Sequence, residues 1–223
     1  MSSIIPRVLE PEVMDTADEA TDYDQMDHSE VNRRFASDFF SACPNPVGVI
    51  LDVGTGTAQI PIEMCRQHPT VTLHAVDLAD EMLKVAAANV AAVGFTHRIK
   101  LEKGNGRQLP HPDAGFAAVV SNSIIHHIPH PFDCLSEMVR VCSRGGTLFV
   151  RDLLRPRSEE QLERLVATYA DGCNAHQRKL FSDSLRAALT LAEVQTLLVE
   201  LGFDASTVQQ TSDRHWTLTA VVT

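Results

Sequence analysis

The stretch that most constrains this chain is Val49-Ile50-Leu51-Asp52-Val53-Gly54-Thr55-Gly56-Thr57, followed by a second apolar run that stops at an acid, Leu73-His74-Ala75-Val76-Asp77. A short β-branched and aliphatic run of this kind reads as a strand buried on both faces of a parallel sheet. Gly54 and Gly56 let the following turn tighten and let its backbone approach a ligand. Asp77 lies 21 residues after Gly56, the separation at which a carboxylate meets a ribose bound at such a turn. Beyond this unit, strand and helix patterns keep alternating, which argues a parallel sheet. Helices are expected over 60–68, 80–93 and 131–141 and from Ser158, with Pro61 tolerated in a first turn, Asp80 as a cap and Gly94 as a stop. Thr190 and Glu193 form a capping box for a helix that runs to Leu201 and closes at Gly202. Further strands are expected over 99–103 and 117–121, over 147–152 after a Gly145-Gly146 turn, and near 206–210 and 216–222. A short connection joins the last two as a hairpin. The fold class is therefore α/β, a doubly wound and mostly parallel sheet with helices on both faces and a C-terminal antiparallel strand.

The chain of 223 residues is long enough for one buried core, and a single domain is expected over residues 21–223. Its formal net charge is −10, and −8 of that lies in residues 1–30, where nine acids accompany Arg7 alone. Residues 1–20 read as an acidic, flexible arm. Neither the arm nor the balanced remainder supplies the basic stripe that nucleic acid requires, so DNA and RNA are disfavoured as partners. No apolar run reaches the roughly 18 residues of a membrane span, and the first residues lack the apolar core of a signal peptide. The expectation is a cytoplasmic protein without a membrane partner, with a homodimer left open. Cys43, Cys65, Cys134, Cys142 and Cys173 contain no Cys-x-x-Cys pair, which fits reduced thiols and argues against a structural zinc site.

Four segments in order carry a family likeness: Asp52-x-Gly54-x-Gly56 with Asp77, then Gly104-Asn105-Gly106-Arg107-Gln108-Leu109-Pro110, then Val119 to Ile128, then Arg140 to Leu148. In these the chain resembles the class I S-adenosylmethionine (SAM)-dependent methyltransferases, firmly over about residues 45–150 and loosely beyond. The resemblance implies a Rossmann-like seven-stranded sheet, SAM as cofactor, S-adenosylhomocysteine as its product, and methyl transfer to a small molecule by in-line displacement. It implies cofactor contacts from Asp52, Gly54, Thr55, Gly56 and Thr57, from Asp77, Leu78 and Met82, from Gly104, Asn105 and Gly106, and from Asn122 and Ser123. Asn105 replaces the acid that usually meets the adenine amino group; an amide oxygen still accepts that bond, more weakly. Arg144 stands in place of a more usual proline. A dinucleotide-binding dehydrogenase would want a third glycine where Gln59 stands, to bring its helix close beneath a pyrophosphate, whereas SAM has no phosphate. Two alternatives keep the fold: a SAM-binding protein with other chemistry, and a regulatory protein whose cofactor is structural.

A sulfonium methyl is activated by its own charge, so positioning dominates and contributes roughly 7–11 kcal/mol. A general base is needed only for an acceptor whose proton must leave early. His126 and His127 are the catalytic candidates, because neutral imidazole takes a proton near pH 7 and this segment follows a strand at its ligand-facing end. The bland alternative is that one histidine only shapes the pocket. A metal held by His126, His127, His130 and Asp133 is disfavoured, since Pro129 and Pro131 keep these residues from converging, and no metal is expected. From Tyr23 onward, Met26, Val31, Phe35, Phe39 and Phe40 recur at helical spacing and predict a docked helix. In the resembling family this segment often closes over the cofactor, which makes Tyr23, His28, Asn32 and Arg33 candidates for a lid touching cofactor or substrate. A helical insertion over 153–190 is the expected place of substrate choice. Arg151 and Arg155, at the end of the fifth strand, are candidates to hold an anionic acceptor.

Overall fold

The computed structural model describes residues 4–10 and 16–223. Its strands are β1 (Val49–Val53), β2 (Thr72–Asp77), β3 (Ile99–Lys103), β4 (Phe116–Asn122), β5 (Cys142–Leu153), β6 (Val208–Gln210) and β7 (His215–Val221). They form one mixed sheet in the order β3-β2-β1-β4-β5-β7-β6. β1 pairs in parallel with β2 and with β4, and β2 with β3, whereas β6 and β7 run antiparallel. The strand order changes direction between β1 and β4, and open α/β sheets bind ligands outside such a switch point. The helices are α1 (Ala17–Asp24), α2 (Ser29–Ala42), α3 (Gln59–Gln67), α4 (Asp80–Ala92), α5 (Pro131–Val141), α6 (Glu159–Tyr169), α7 (Ala175–Ala187) and α8 (Leu191–Glu200). Among the described residues no helix is long and apolar enough to cross a membrane.

The described residues fall into two compact units. The first contains Val13–Asn122, Phe132–Val150 and Thr219–Thr223 as far as they are described. Successive strand residues point to opposite faces, and here Ile50, Leu73, Ala75, Ile99, Ala118 and Val120 share a core with Phe35 and Phe39 of α2, Ile62 and Met64 of α3, and Ala86 and Val90 of α4. Phe149 meets Phe35 and Phe39 edge-on at 5.1 and 5.8 Å, an arrangement that adds to area burial. The helix expected from Tyr23 is in fact two, because α1 ends at Asp24 and α2 begins at Ser29. Asp80 does not cap α4: Ala79 occupies that position without a side-chain bond, and Asp80 accepts from Lys103 Nζ instead. Gly94, with φ of 75°, ends the helix as its sequence position predicts. Gly145 and Gly146 do not precede the fifth strand but lie within it. A Cβ on Gly146 would stand 2.8 Å from the carbonyl oxygen of Ala117, so the strand passes there only without a side chain.

The second unit contains Met1–Glu12, Ser123–Pro131 and Arg151–Leu218, again as far as described. Leu162 and Leu165 of α6 and Leu185 of α7 pack with Leu153 and Ala188. The expected boxes and caps form at Thr190 with Glu193 and at Ser158; Asn174 with Gln177 adds a further capping box ahead of α7. Two parts of the acidic arm expected over 1–20 are ordered. Ile5 is buried, Val8 donates to the Arg186 carbonyl at 3.2 Å, and Arg7 donates to Ala187, His126 and Ile128 carbonyls at 2.7, 3.1 and 3.0 Å. In the first unit, Thr16 and Glu19 form a capping box on α1, so acids that suggested solvation serve a helix N-terminus.

Candidate functional site

The chain leaves β1 through Gly54 and Gly56, with φ of 76° and 54°, and enters α3 after Ala58, also left-handed at 63°. Gly54 and Thr55 amides donate to the Val76 carbonyl at 2.8 and 2.9 Å, tying the turn to the end of β2. Asp77 completes the tie: one carboxylate oxygen accepts from the Gly56 amide at 2.7 Å and the other from the Ala79 amide at 2.9 Å. Its backbone carbonyl accepts from the Gly104 amide at 2.9 Å.

Tyr23, His28, Asn32, Asp52, Gly54, Thr55, Thr57 and Asn122 line one cavity of about 400 Å³, its open mouth included, with Asp24, Met26, Gln59 and Ile60. Its wall carries buried polar atoms without hydrogen-bond partners: Asp52 Oδ2, Thr57 Oγ1, Asn122 Oδ1 and His28 Nε2. Burial raises the Asp52 carboxyl to about 7; the Thr55 hydroxyl opposes that rise and the Asp77 carboxylate adds to it. Burial, reinforced by Asp77, Asp52 and Asp24, pushes the Tyr23 phenol above its ordinary value and keeps it a hydroxyl donor. Burial lowers His28, against the opposing charge of Asp27. A Cβ on Gly56 would lie 3.7 Å from the Tyr23 ring, so α1 brings this ring onto the glycine turn. Asp24 fastens α1 there by accepting from Gln59 Nε2 at 2.9 Å and from Asn89 Nδ2 at 2.8 Å.

A second polar cluster lies in the other unit. His126 and His127 occupy a single 3-10 turn, Ile125–His127. The buried Asp152 accepts from the amides of Ile125 and His126 at 2.5 and 3.3 Å, from its own neighbour Leu153 at 2.5 Å, and pairs with His126 Nδ1 at 2.6 Å. Glu10 Oε1 lies 3.5 Å from His126 Nε2 and 3.0 Å from His127 Nδ1. Burial alone would lower His126, but the facing charges of Asp152 and Glu10 outweigh it and hold this imidazole above its usual value. Burial would raise Asp152, yet His126 outweighs it and keeps the carboxylate ionised below the ordinary range. Glu10 is likewise held low, burial notwithstanding, by His127 and His126.

Residues 50–146 match the family model described as a methyltransferase domain. Over this segment the chain is similar to a methyltransferase domain. The chain is 30% identical over 126 residues to the ubiquinone/menaquinone biosynthesis C-methyltransferase of Geotalea daltonii, covering 56% of this chain and 53% of that protein. Ajmaline N-methyltransferase of Rauvolfia serpentina is 27% identical over 127 residues, 52% of this chain and 43% of that one. The chain thus spans about half the length of these curated relatives. A SAM-dependent methyltransferase from Aquifex aeolicus shares the fold, with a TM-score of 0.70 at 16% identity over 93% of this chain and 99% of that one.

Within this segment, the structure gathers Asp52, Gly54, Thr55, Thr57 and Asn122 around the cavity and ties Gly56, Asp77 and Gly104 to its turn. Met82 packs instead with Ala20, Ala79 and Tyr23. Leu78, Asn105 and Gly106 are not part of the cavity lining. Asn105 Oδ1 accepts from the Arg107 amide at 2.9 Å and so closes its own loop. Arg33 is exposed and absent from the lining. Ser123, Arg151 and Arg155 belong to the second unit. Arg155 is buried against Glu193 at 2.6 Å, and Arg151 donates to Thr217 Oγ1 at 2.9 Å. Both arginines therefore have internal partners where the sequence reading offers them to an anionic acceptor. Sequence reasoning missed Asp24, Asn89, Glu10 and the pairing role of Asp152. Only Asp152 left a signal, an acid ending an apolar strand run.

Proposed function

We propose that the chain transfers the methyl group of SAM to a small-molecule acceptor. The observation that carries this reading is the cluster of unpartnered buried acceptors and hydroxyls, Asp52 Oδ2, Thr57 Oγ1 and Asn122 Oδ1, beside a glycine turn tied to Asp77. An amino-acid ammonium would supply the donors that Asp52 and Asn122 lack and would hold Asp52 ionised against its burial. The ribose hydroxyls would bond to the Asp77 carboxylate, with Leu78, Met82, Gly104, Asn105 and Gly106 toward the adenine. SAM supplies a carbon-sulfur bond that breaks as the acceptor bonds to the methyl carbon, leaving a neutral thioether.

The protein's own work is to bind, align and exclude water. Tyr23 and His28 close the glycine turn as part of a lid and offer polar atoms to cofactor or acceptor. A proton released by the acceptor goes to His126 or His127. Asp152 fixes the ring of His126 through Nδ1, and a base role requires the neutral imidazole. The C- and N-methyltransferase names of the two relatives differ in the atom methylated, so the class of acceptor is read here as a small molecule without fixing that atom. The 153–190 segment selects it. The reading takes the protein as cytoplasmic, as monomer or homodimer, and without a nucleic-acid partner, in keeping with its acidic surplus.

Calorimetric titration with SAM, S-adenosylhomocysteine and NADH tests the cofactor. Micromolar binding of the first two and none of NADH is expected; NADH binding alone overturns the reading. With an acceptor found by screening metabolite extracts, His126→Ala and His127→Ala should retain SAM affinity, and full turnover in both removes the base assignment.

A further inference from the structure

The connection between β3 and β4 has no helix; residues 104–115 cross as turns and one isolated bridge from Asn105 to Gln108. Leu73, Ala75 and Leu101 serve the core on one face of the sheet, so the alternating residues His74 and Glu102 point to the opposite face. His111, from the loop, comes over that face. Its ring lies 6.0 Å from the His74 ring and 5.0 Å edge-on from Phe116.

The side chain of His111 is only 9% exposed, and neither of its ring nitrogens has a hydrogen-bond partner; His74 Nδ1 is also buried without one. Glu102 Oε2 lies 3.7 Å from His111 Nε2. One nitrogen from each ring and one carboxylate oxygen all fall within 4.8 Å of one another. Buried polar atoms are normally satisfied, and one nitrogen from each of two imidazoles, gathered at a carboxylate, asks for a common partner. In a tetrahedral site with metal-donor distances of about 2.0–2.1 Å, neighbouring donors stand roughly 3.3–3.5 Å apart. This cluster approaches that geometry, and the loop residue His111 can supply the remaining contraction.

We propose that His74, Glu102 and His111 form a binding site for a zinc-class divalent metal, which staples the 104–115 loop to β2 and β3. Two imidazoles with one carboxylate favour Zn²⁺ or Co²⁺ over the hard cations Mg²⁺ and Ca²⁺, and three protein ligands leave a further position to water. Lys100 Nζ donates to Glu102 Oε2 at 2.9 Å, but that lysine side chain is 60% exposed. An ion pair so open to solvent holds weakly, and the lysine can swing away to release the carboxylate. The site has no cysteine and no sequence signature, since its ligands are separated by 28 and 9 residues.

Glu10, His126 and His127 are a second group of possible ligands with the same reach, so the test must separate the two. Wild-type protein freed of metal by chelation is titrated with Co²⁺, followed by its visible absorption, and with Zn²⁺, followed by bound-metal analysis and thermal midpoint. Uptake of one equivalent, tetrahedral cobalt bands and a midpoint raised by several degrees are expected. All three should disappear in both His111→Ala and Glu102→Gln and persist in His127→Ala. The second variant keeps the shape of the glutamate and guards against simple misfolding of the first. No uptake by wild type overturns the site, as does uptake that survives in Glu102→Gln or is lost in His127→Ala.

Discussion

The cavity at the glycine turn and the histidine cluster are both buried polar regions, but the Asp152–His126 pair in the second is satisfied where the cavity wall is not, even though Glu10 Oε1 and His127 Nδ1 beside that pair lack hydrogen-bond partners. Around the cavity, Asp52, Thr57 and Asn122 each present a buried oxygen without a partner. In the cluster, Asp152 takes donors on both of its oxygens and His126 faces a carboxylate at each nitrogen. Unsatisfied polar groups are costly unless a ligand completes them, whereas a saturated network fixes geometry. The comparison teaches that the first region is built to receive a molecule and the second to hold a ring in place.

The largest effect should come from breaking the saturated side. Asp152→Ala strands the His126 ring and the buried amides of Ile125 and Leu153, and removal of one partner from a buried pair costs about 3–5 kcal/mol. Urea unfolding at neutral pH should show that loss, and a change below 1 kcal/mol would mean the network is not rigid. Next comes the unsatisfied side. A carboxyl held at about 7 in the folded chain against an ordinary 3.8 binds its proton more tightly when folded. The stability it contributes is full below about pH 4 and is lost as pH climbs through 7, up to about 4 kcal/mol at 1.36 kcal/mol per pH unit. Asp52→Asn should flatten that limb relative to wild type when unfolding is measured from pH 4 to 8; parallel curves would show Asp52 to be solvated.

Much of the cavity was legible because its determinants are local. Gly54 and Gly56 meet Asp77 through a strand-turn-helix-strand unit whose spacing is set by the elements themselves, and the Thr190 box or the Gly94 stop lies within a few residues of what it satisfies. The Asp24 contacts to Gln59 and Asn89 join residues 35 and 65 apart, and Glu10 reaches His126 across 116 positions. No periodicity announces such pairs. Charge was also ambiguous, since the acids of residues 1–30 suit solvent equally well as they suit a helix cap or a facing imidazole.

Two smaller effects sharpen the cavity side. Asp77→Ala should weaken SAM binding by about 1–3 kcal/mol, the range for a hydrogen bond to a charged group, and calorimetry showing unchanged affinity would end the ribose assignment. Asn105→Asp should tighten SAM binding by about 1 kcal/mol, because a charged acceptor is stronger than an amide. Unchanged calorimetric affinity would mean that the loop bond to Arg107 keeps this side chain from adenine.

The ends of the sheet bear on how copies of the chain can meet. An edge strand offers unpaired backbone to any other chain, and proteins blunt that hazard with charge or brevity. β3 sets Lys100, Glu102 and Lys103 along one edge, and β6 closes the other with three residues, Val208–Gln210. Neither makes a good template for strand addition. A homodimer of this protein would therefore join through helices or loops, and continuous intermolecular sheet, the route to fibrils, is guarded at both margins.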